Sequence, residues 1–322
     1  MVFWITSLAV AAVLGGSTGP QQTTAPVPAG QAASQLEDVV VEGRPLREAT
    51  TAFVEEVAAP VEGSGAAAWR QTICIGVGNL QRDAAELIIE RISATAEGLG
   101  VRLGAPGCEP RVFITFTVDA NETTRAMVAS RRREFRLNMS GANRGSRALA
   151  RFQNTDAAVR WWHVSVPVDV DTGIAANRGV GDEPFQGPGM EITSPNQLGD
   201  NRRFVTGSML KNDLRDDLAQ VIIVVDVDRI AGVTTDQLAG YLTMIALVQI
   251  DPEAQPRGYD TILNLFDQPE RAPASLTSWD LAFLGGVYGA EQNQISSRQR
   301  LGAVASAMAQ SVRVQMRTPP GD

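Results

Sequence analysis

Histidine is almost absent from this chain, since His163 is the only one among 322 residues. Catalytic zinc sites are held by about three protein ligands, which in most peptidases include two imidazoles. A single histidine therefore excludes any catalytic site built on a histidine pair. Because His163 lies in a strand-like run beside Trp162, we expect a half-buried or surface residue with no special role.

Cysteine is scarce as well, with only Cys74 and Cys108 in the chain. Their spacing excludes a C-x-x-C redox site. Cys74 lies in one strand-like run, and Cys108 lies just before another. If these strands are neighbours in an oxidising compartment, the two cysteines can form a disulfide across the sheet. The alternative is a pair of buried free thiols.

Positive charge is in deficit, with a net charge of -8 at pH 7. This balance disfavours general binding to nucleic acid or to anionic membranes, which needs a clustered basic surface. One local cluster is an exception: Arg125, Arg131, Arg132, Arg133, Arg136, Arg144, Arg147 and Arg151. It is either a solvated helix face with an arginine-rich loop or a surface for an anionic ligand or partner, because arginine forks suit carboxylates and phosphates.

An apolar run opens the chain, and residues 1–16 are predicted to be a signal peptide or an N-terminal anchor. Residues 17–35, rich in Gln, Thr, Pro and Ala, are predicted to be a disordered linker. We therefore expect a periplasmic or secreted protein, with membrane contact only through an uncleaved N-terminal segment. Residues 38–43 resemble the short energy-coupling box of TonB-dependent outer-membrane receptors, although a plain edge strand explains them as well.

Apolar periodicity predicts an α+β fold, with a mixed sheet and packed helices in one domain over 36–316. A subdivision near 170–202 is the alternative. Strands are predicted at 71–77, 111–118, 158–169 and 221–228, and helices at 46–59, 80–97, 121–135, 210–218, 234–250, 277–288 and 295–315. The continuous apolar run 221–225 indicates burial on both faces. Thr234 and Gln237 form a capping box at the start of the helix at 234–250.

Residues 233–266 resemble the active-site helix and following turn of the zincin peptidases. In the motif H-E-x-x-H-x-x-G-x-x-H/D, two histidines bind zinc and the glutamate acts as base. The matching positions are Tyr241, Leu242 and Ile245, with Asp251 as the third ligand and Leu263 in the place of the methionine in the metzincin turn. Residues 276–288 look like the closing helix of those domains.

The chain is also similar to an uncharacterised family of exported proteobacterial proteins with the same closing motif. This resemblance implies a zincin-like layout in the C-terminal half that has lost its zinc ligands and its base. Leu242 and Ile245 cannot bind a metal, so no metal-bound hydroxide would form. A pseudoenzyme of this kind would keep the cleft without catalytic residues, metal or cofactor.

Four carboxylates flank the predicted buried strand and the following helix: Asp226, Asp228, Asp251 and Asp260. They can form an oxygen-ligand cation site, or they can cap helices and bind main-chain amides. Overall we expect an exported, non-catalytic binding or accessory protein with a protein or peptide partner in the cell envelope. The alternatives are a hydrolase or cation-binding enzyme that uses the aspartate cluster, and an accessory protein of TonB-linked uptake.

Overall fold

Four strands form one mixed sheet in the order β1-β2-β4-β3. Their bounds are Ile75–Gly78 (β1), Val112–Thr117 (β2), Val159–Asp169 (β3) and Leu214–Asp226 (β4). β1, β2 and β4 run parallel, while β3 runs antiparallel to β4 at the end of the sheet. The sheet and its helices confirm the predicted α+β class, and the zincin-like layout stays a prediction.

This computed structural model describes residues 45–61, 64–135, 142–173, 175, 214–291, 294 and 296–317. All of them belong to one compact unit. The predicted leader at 1–16, the linker at 17–35 and the TonB-like box at 38–43 lie outside the described residues, as does most of the segment 170–202.

Seven helices are found among the described residues. They are Leu46–Val57 (α1), Arg82–Gly98 (α2), Ala120–Ser130 (α3), Gly145–Asn154 (α4), Thr235–Leu247 (α5), Ser278–Gly289 (α6) and Ser297–Arg317 (α7). Within this described part of the chain, no helix is long and apolar enough to cross a membrane.

The sheet separates two apolar clusters. Ile222 and Val224 of β4 pack with residues of α3 and α4 on one face. Val221, Ile223 and Val225 face a larger cluster formed with α1, α2, α5, α6 and α7. All five residues of the apolar run 221–225 are buried. The run therefore lies between two layers, as its composition predicts.

Cys74 and Cys108 form a disulfide, with their Cα atoms 6.0 Å apart. Cys74 lies directly before β1 and Cys108 lies shortly before β2, and these two strands pair in parallel. The prediction that two neighbouring strands bring the cysteines together is confirmed. The bond joins residues 34 positions apart and fixes the starts of both strands.

The helix predicted at 210–218 is wrong, because residues 214–218 belong to β4. The apolar pattern did not reveal this part of the strand, because two of its residues are polar. Asp216 is buried in an ion pair with Arg300 of α7, and Asp217 binds Arg215. The helix predicted at 121–135 ends earlier, at Ser130, and α4 was not predicted at all.

Candidate functional site

The zincin-like positions on α5 are part of the core. Tyr241 is 8% exposed, and Leu242 and Ile245 are fully buried. The ring of Tyr241 contacts Phe266 and Trp161 edge to face, and burial raises the pKa of its hydroxyl. Side chains packed in this way leave no open coordination site on α5.

Asp251, which was predicted to match the third zinc ligand, binds an arginine. Both carboxylate oxygens of Asp251 accept hydrogen bonds from the guanidinium of Arg144, at 2.9 and 3.0 Å. A second ion pair lies two residues further on, where Arg151 meets Glu253 at 2.8 Å. Arg144 and Arg151 lie at the two ends of α4, so both pairs join this helix to the segment after α5.

Leu263 is half-buried in a 3-10 turn at 262–264, and it packs against the larger core cluster. This turn is tied to the start of α6 by the buried carboxylate of Asp280. Thr277 completes that start with a capping box. The segment that was predicted to match the metzincin turn is therefore held to α6 by hydrogen bonds to Asp280.

The four aspartates considered as a cation site do not share a common centre. Asp226 accepts a hydrogen bond from the main-chain N–H of Asp228, and Asp251 binds Arg144. The main-chain carbonyl of Asp260 accepts from Thr277. Among the described residues, no three His, Cys, Asp or Glu side chains are grouped so that they could hold a metal ion. Asp226, Asp228, Asp251 and Asp260 are therefore not brought together as such a group.

A groove lies along the outer edge of the sheet, beside β3. Its cavity volume is about 50 Å³, so it is a shallow, largely filled depression rather than a deep pocket. One side is formed by α4 and the other by the segment after α5. Its lining combines three arginines, Arg144, Arg151 and Arg160, with aromatic residues that include Phe152, Trp161 and Trp162.

Main-chain hydrogen bonding fixes which residues of β3 face this groove. The N–H of Asp226 donates to the carbonyl of Ala158 at 2.9 Å, so these two residues form a hydrogen-bonded pair. Antiparallel pairing alternates along a strand. The main-chain groups of Val159, Trp161 and His163 therefore point away from β4. Across the described residues, no main-chain hydrogen bond joins these outward groups to another segment.

The open edge is short. At Ser165, the main-chain N–H donates to the carbonyl of Ala142 at 3.0 Å, in the segment that leads into α4. The register of β3 against β4 also shifts between Val164 and Ser165. Before this point, no such bond to β3 is found among the described residues.

His163 lines the groove, which the sequence did not predict. Its Nε2 lies 2.8 Å from the carbonyl of Ile245, and because a carbonyl only accepts, Nε2 carries the hydrogen. The pKa of His163 is lowered to about 4, chiefly by burial, which outweighs the opposing hydrogen bond to Ile245; the nearby charge of Arg144 contributes a smaller lowering. The imidazole is neutral at pH 7 and joins β3 to α5.

Arg160 is the most unusual side chain of the groove. It is only 3% exposed, and its pKa is lowered chiefly by burial. One terminal nitrogen donates to Oδ1 of Asn121 at 2.6 Å, and the other donates to the carbonyl of Thr155 at 2.7 Å. Its Nε has no partner among the described residues.

The arginines that are clustered in the sequence lie at different places in the structure. Arg144 and Arg151 line the groove, whereas Arg125 binds the carbonyl of Asn121 and Arg131 pairs with Glu134 on the surface. Arg136 lies outside the described residues. Arg160 and the two tryptophans of β3 were missed because the strand pattern alone does not reveal which edge stays open.

No protein-family model, curated protein or solved structure matches the chain. The resemblance to the zincin peptidases and to exported proteobacterial proteins thus depends on the sequence motifs alone. The groove at β3 must be interpreted from its own geometry.

Proposed function

We propose that this chain is an exported, non-catalytic binding protein that holds a peptide segment in the groove along β3. The open edge of this strand carries the proposal. Val159, Trp161 and His163 direct main-chain groups toward the groove, and an extended peptide can pair with such groups by adding a strand. The aromatic lining offers apolar contact to the side chains of that peptide.

The chemistry of the lining favours binding over catalysis. His163 uses its only N–H to hold Ile245, and two carboxylates beside the groove, Asp251 and Glu253, are engaged by arginines. General acid–base catalysis needs a titratable group within hydrogen-bond reach of the substrate. The burial of Tyr241 and Leu242 likewise supports a cleft without zinc chemistry.

Export is supported by two features of different kinds. The apolar run at 1–16 has the length of a signal peptide. The disulfide between Cys74 and Cys108 is of the kind that persists in oxidising compartments. Mass spectrometry of the mature protein tests this part of the proposal, because cleavage removes the leader from the N-terminus.

Equilibrium dialysis against pooled N-acetylated tetrapeptides, read by mass spectrometry, tests the binding function. The change Ala148→Trp fills the groove from α4, and Ala150→Trp is the matched control on an exposed position of the same helix. We expect wild type and Ala150→Trp to retain intact peptides and Ala148→Trp to lose them. Peptide cleavage, or retention that Ala148→Trp leaves unchanged, would refute the proposal.

A further inference from the structure

Small apolar residues leave the space that the groove contains. Three alanines line it together with larger residues such as Phe152 and Ile250. Ala59 follows α1, Ala148 belongs to α4, and Ala157 lies between α4 and β3. Because the side chain of alanine ends at Cβ, these three separate segments enclose a depression of about 50 Å³ beside the outward edge of β3.

The polar side chains of the lining are already engaged. They are Arg144, Arg151, Thr155, Arg160, His163 and Gln249, and each has a partner within the protein. The side-chain oxygen of Gln249, for example, accepts a hydrogen bond from the main-chain N–H of Ala67 at 3.1 Å. Nε of Arg160, which has no partner, is closed off from solvent. A polar ligand group would have to compete with these bonds, whereas an apolar group leaves them intact.

We infer that the groove selects peptides by one small aliphatic side chain, that of valine, leucine or isoleucine, which enters the depression. This inference rests on the proposed function. A cavity of about 50 Å³ holds about three or four groups of the size of a water molecule or a methyl group. Valine and leucine side chains have that size. Alanine leaves most of the space empty, and phenylalanine or tryptophan would force the packed walls apart.

The geometry of strand addition restricts this selection to one position of the peptide. Successive side chains of an extended chain point to opposite sides. A peptide that pairs with the outward main-chain groups of Trp161 and His163 would therefore direct one side chain into the depression and its neighbours away from it. Main-chain pairing supplies affinity for any sequence, and the depression supplies the preference.

Peptides of one length that differ in a single guest residue test this inference by equilibrium dialysis. The host is an N-acetylated, C-terminally amidated tetra-alanine, with valine, leucine, phenylalanine or tryptophan placed at each position in turn. At one position we expect valine and leucine to improve binding to the wild-type protein about tenfold over alanine, through burial of their extra carbon atoms. Phenylalanine and tryptophan should give no improvement there.

The aromatic guests also separate the depression from strand propensity. Phenylalanine and tryptophan favour extended structure as valine does, whereas leucine favours it less. A preference that followed strand propensity alone would rank both aromatic guests above leucine and would overturn the inference. The comparison changes the ligand only, so it does not depend on the folding of a variant.

Ala148→Val completes the design, because it adds two methyl-sized groups to the wall of the depression. We expect it to abolish the preference for valine and leucine, while Ala150→Val, on an exposed position of the same helix, keeps that preference. Equal binding of all guests, or a preference that Ala148→Val leaves intact, would overturn the selection by size. The proposed function would still stand if Ala148→Trp abolished the binding. Binding of no peptide would overturn both.

Discussion

The hydroxyl of Thr261 donates a hydrogen bond to the carboxylate of Asp280, across 19 residues of sequence. The same carboxylate accepts from the main-chain N–H groups of Ile262 and Thr277 and from the hydroxyl of Thr277. A single fully buried acid thus joins the turn after Thr261 to the start of α6. Asp280 is the aspartate of the segment 276–288 that was predicted to be a closing helix.

Asp280 should make stability depend on pH. Burial raises the pKa of Asp280 to about 6, against an ordinary value of 3.8, despite its hydrogen bonds. An acid whose pKa is raised by folding contributes its full stability below pH 4 and loses it as pH rises through 6. The advantage of wild type over Asp280→Asn should fall by up to about 1.4 kcal/mol per pH unit in this window.

Urea denaturation of both proteins between pH 4 and 7 measures that difference. Other titrating groups, His163 included, are common to the two proteins and cancel in the comparison. A difference that stays constant, or that grows as pH rises, would contradict the raised pKa of Asp280.

Gly286 allows α6 and α7 to approach closely. A Cβ at this position would lie 2.9 Å from the carbonyl oxygen of Val304 and 3.1 Å from the main-chain nitrogen of Met308. We expect Gly286→Ala to destabilise the protein by about 1–3 kcal/mol, because main-chain atoms of α7 cannot move aside easily. Chemical denaturation measures the change.

The neighbouring Gly285 is the matched control, since a Cβ there would meet no heavy atom within 4 Å. Gly285→Ala should be neutral or stabilise α6 by up to about 1 kcal/mol, through the higher helix propensity of alanine. Similar losses in both variants would show that the close approach at Gly286 is not the cause.

Reduction of the Cys74–Cys108 disulfide should lower stability. The bond closes a loop of 34 residues, for which the entropy of the unfolded chain predicts about 3–4 kcal/mol. We therefore expect the melting temperature of the reduced protein, and of the double variant Cys74→Ala and Cys108→Ala, to be several degrees lower. Two free thiols in the denatured, unreduced protein would show that the bond does not form.

The zincin positions should not be recoverable by substitution. Tyr241→His, Leu242→Glu and Ile245→His together place two imidazoles and a carboxylate among fully packed side chains. The expected result is a protein destabilised by several kcal/mol, because unpaired buried charge is unfavourable. Weak zinc binding should accompany it, since no residues are arranged to orient the new imidazoles.

Calorimetric zinc titration and thermal unfolding of the triple variant measure both effects. Tyr241→Phe is a control for the loss of the native hydroxyl alone. Tight zinc binding with unchanged stability would indicate an open, preorganised cleft on α5, and the core assignment of Leu242 and Ile245 would then be wrong.

The local spacing of apolar residues was enough to predict the helices and strands that are buried through apolar side chains. The α2 helix repeats its apolar residues at helical spacing, and β4 has an unbroken apolar run at 221–225. The first half of β4 was missed because it contains Asp216, a polar residue. Asp216 is buried in an ion pair with Arg300, which belongs to the last helix. The α4 helix was missed because Phe152 is its only buried residue.

The groove could not be predicted from the spacing of its lining residues along the sequence. Arg160 and Trp161 come from a strand, Arg151 comes from a helix, and Ile250 comes from the segment after α5. Only the sheet order, with β3 outermost, brings these residues to one edge. Sequence alone showed that arginines were concentrated near α4, but it gave no sign that a further, buried arginine lies on β3.

Ionic strength should affect the two ion pairs that join α4 to the segment after α5 more strongly than it affects Arg160. Arg144–Asp251 and Arg151–Glu253 lie partly in solvent, where dissolved salt screens their attraction. Arg160 is shielded from the same ions by burial. Salt should therefore weaken the attachment of α4 to the segment after α5, while the hydrogen bonds of Arg160 to Asn121 and Thr155 persist.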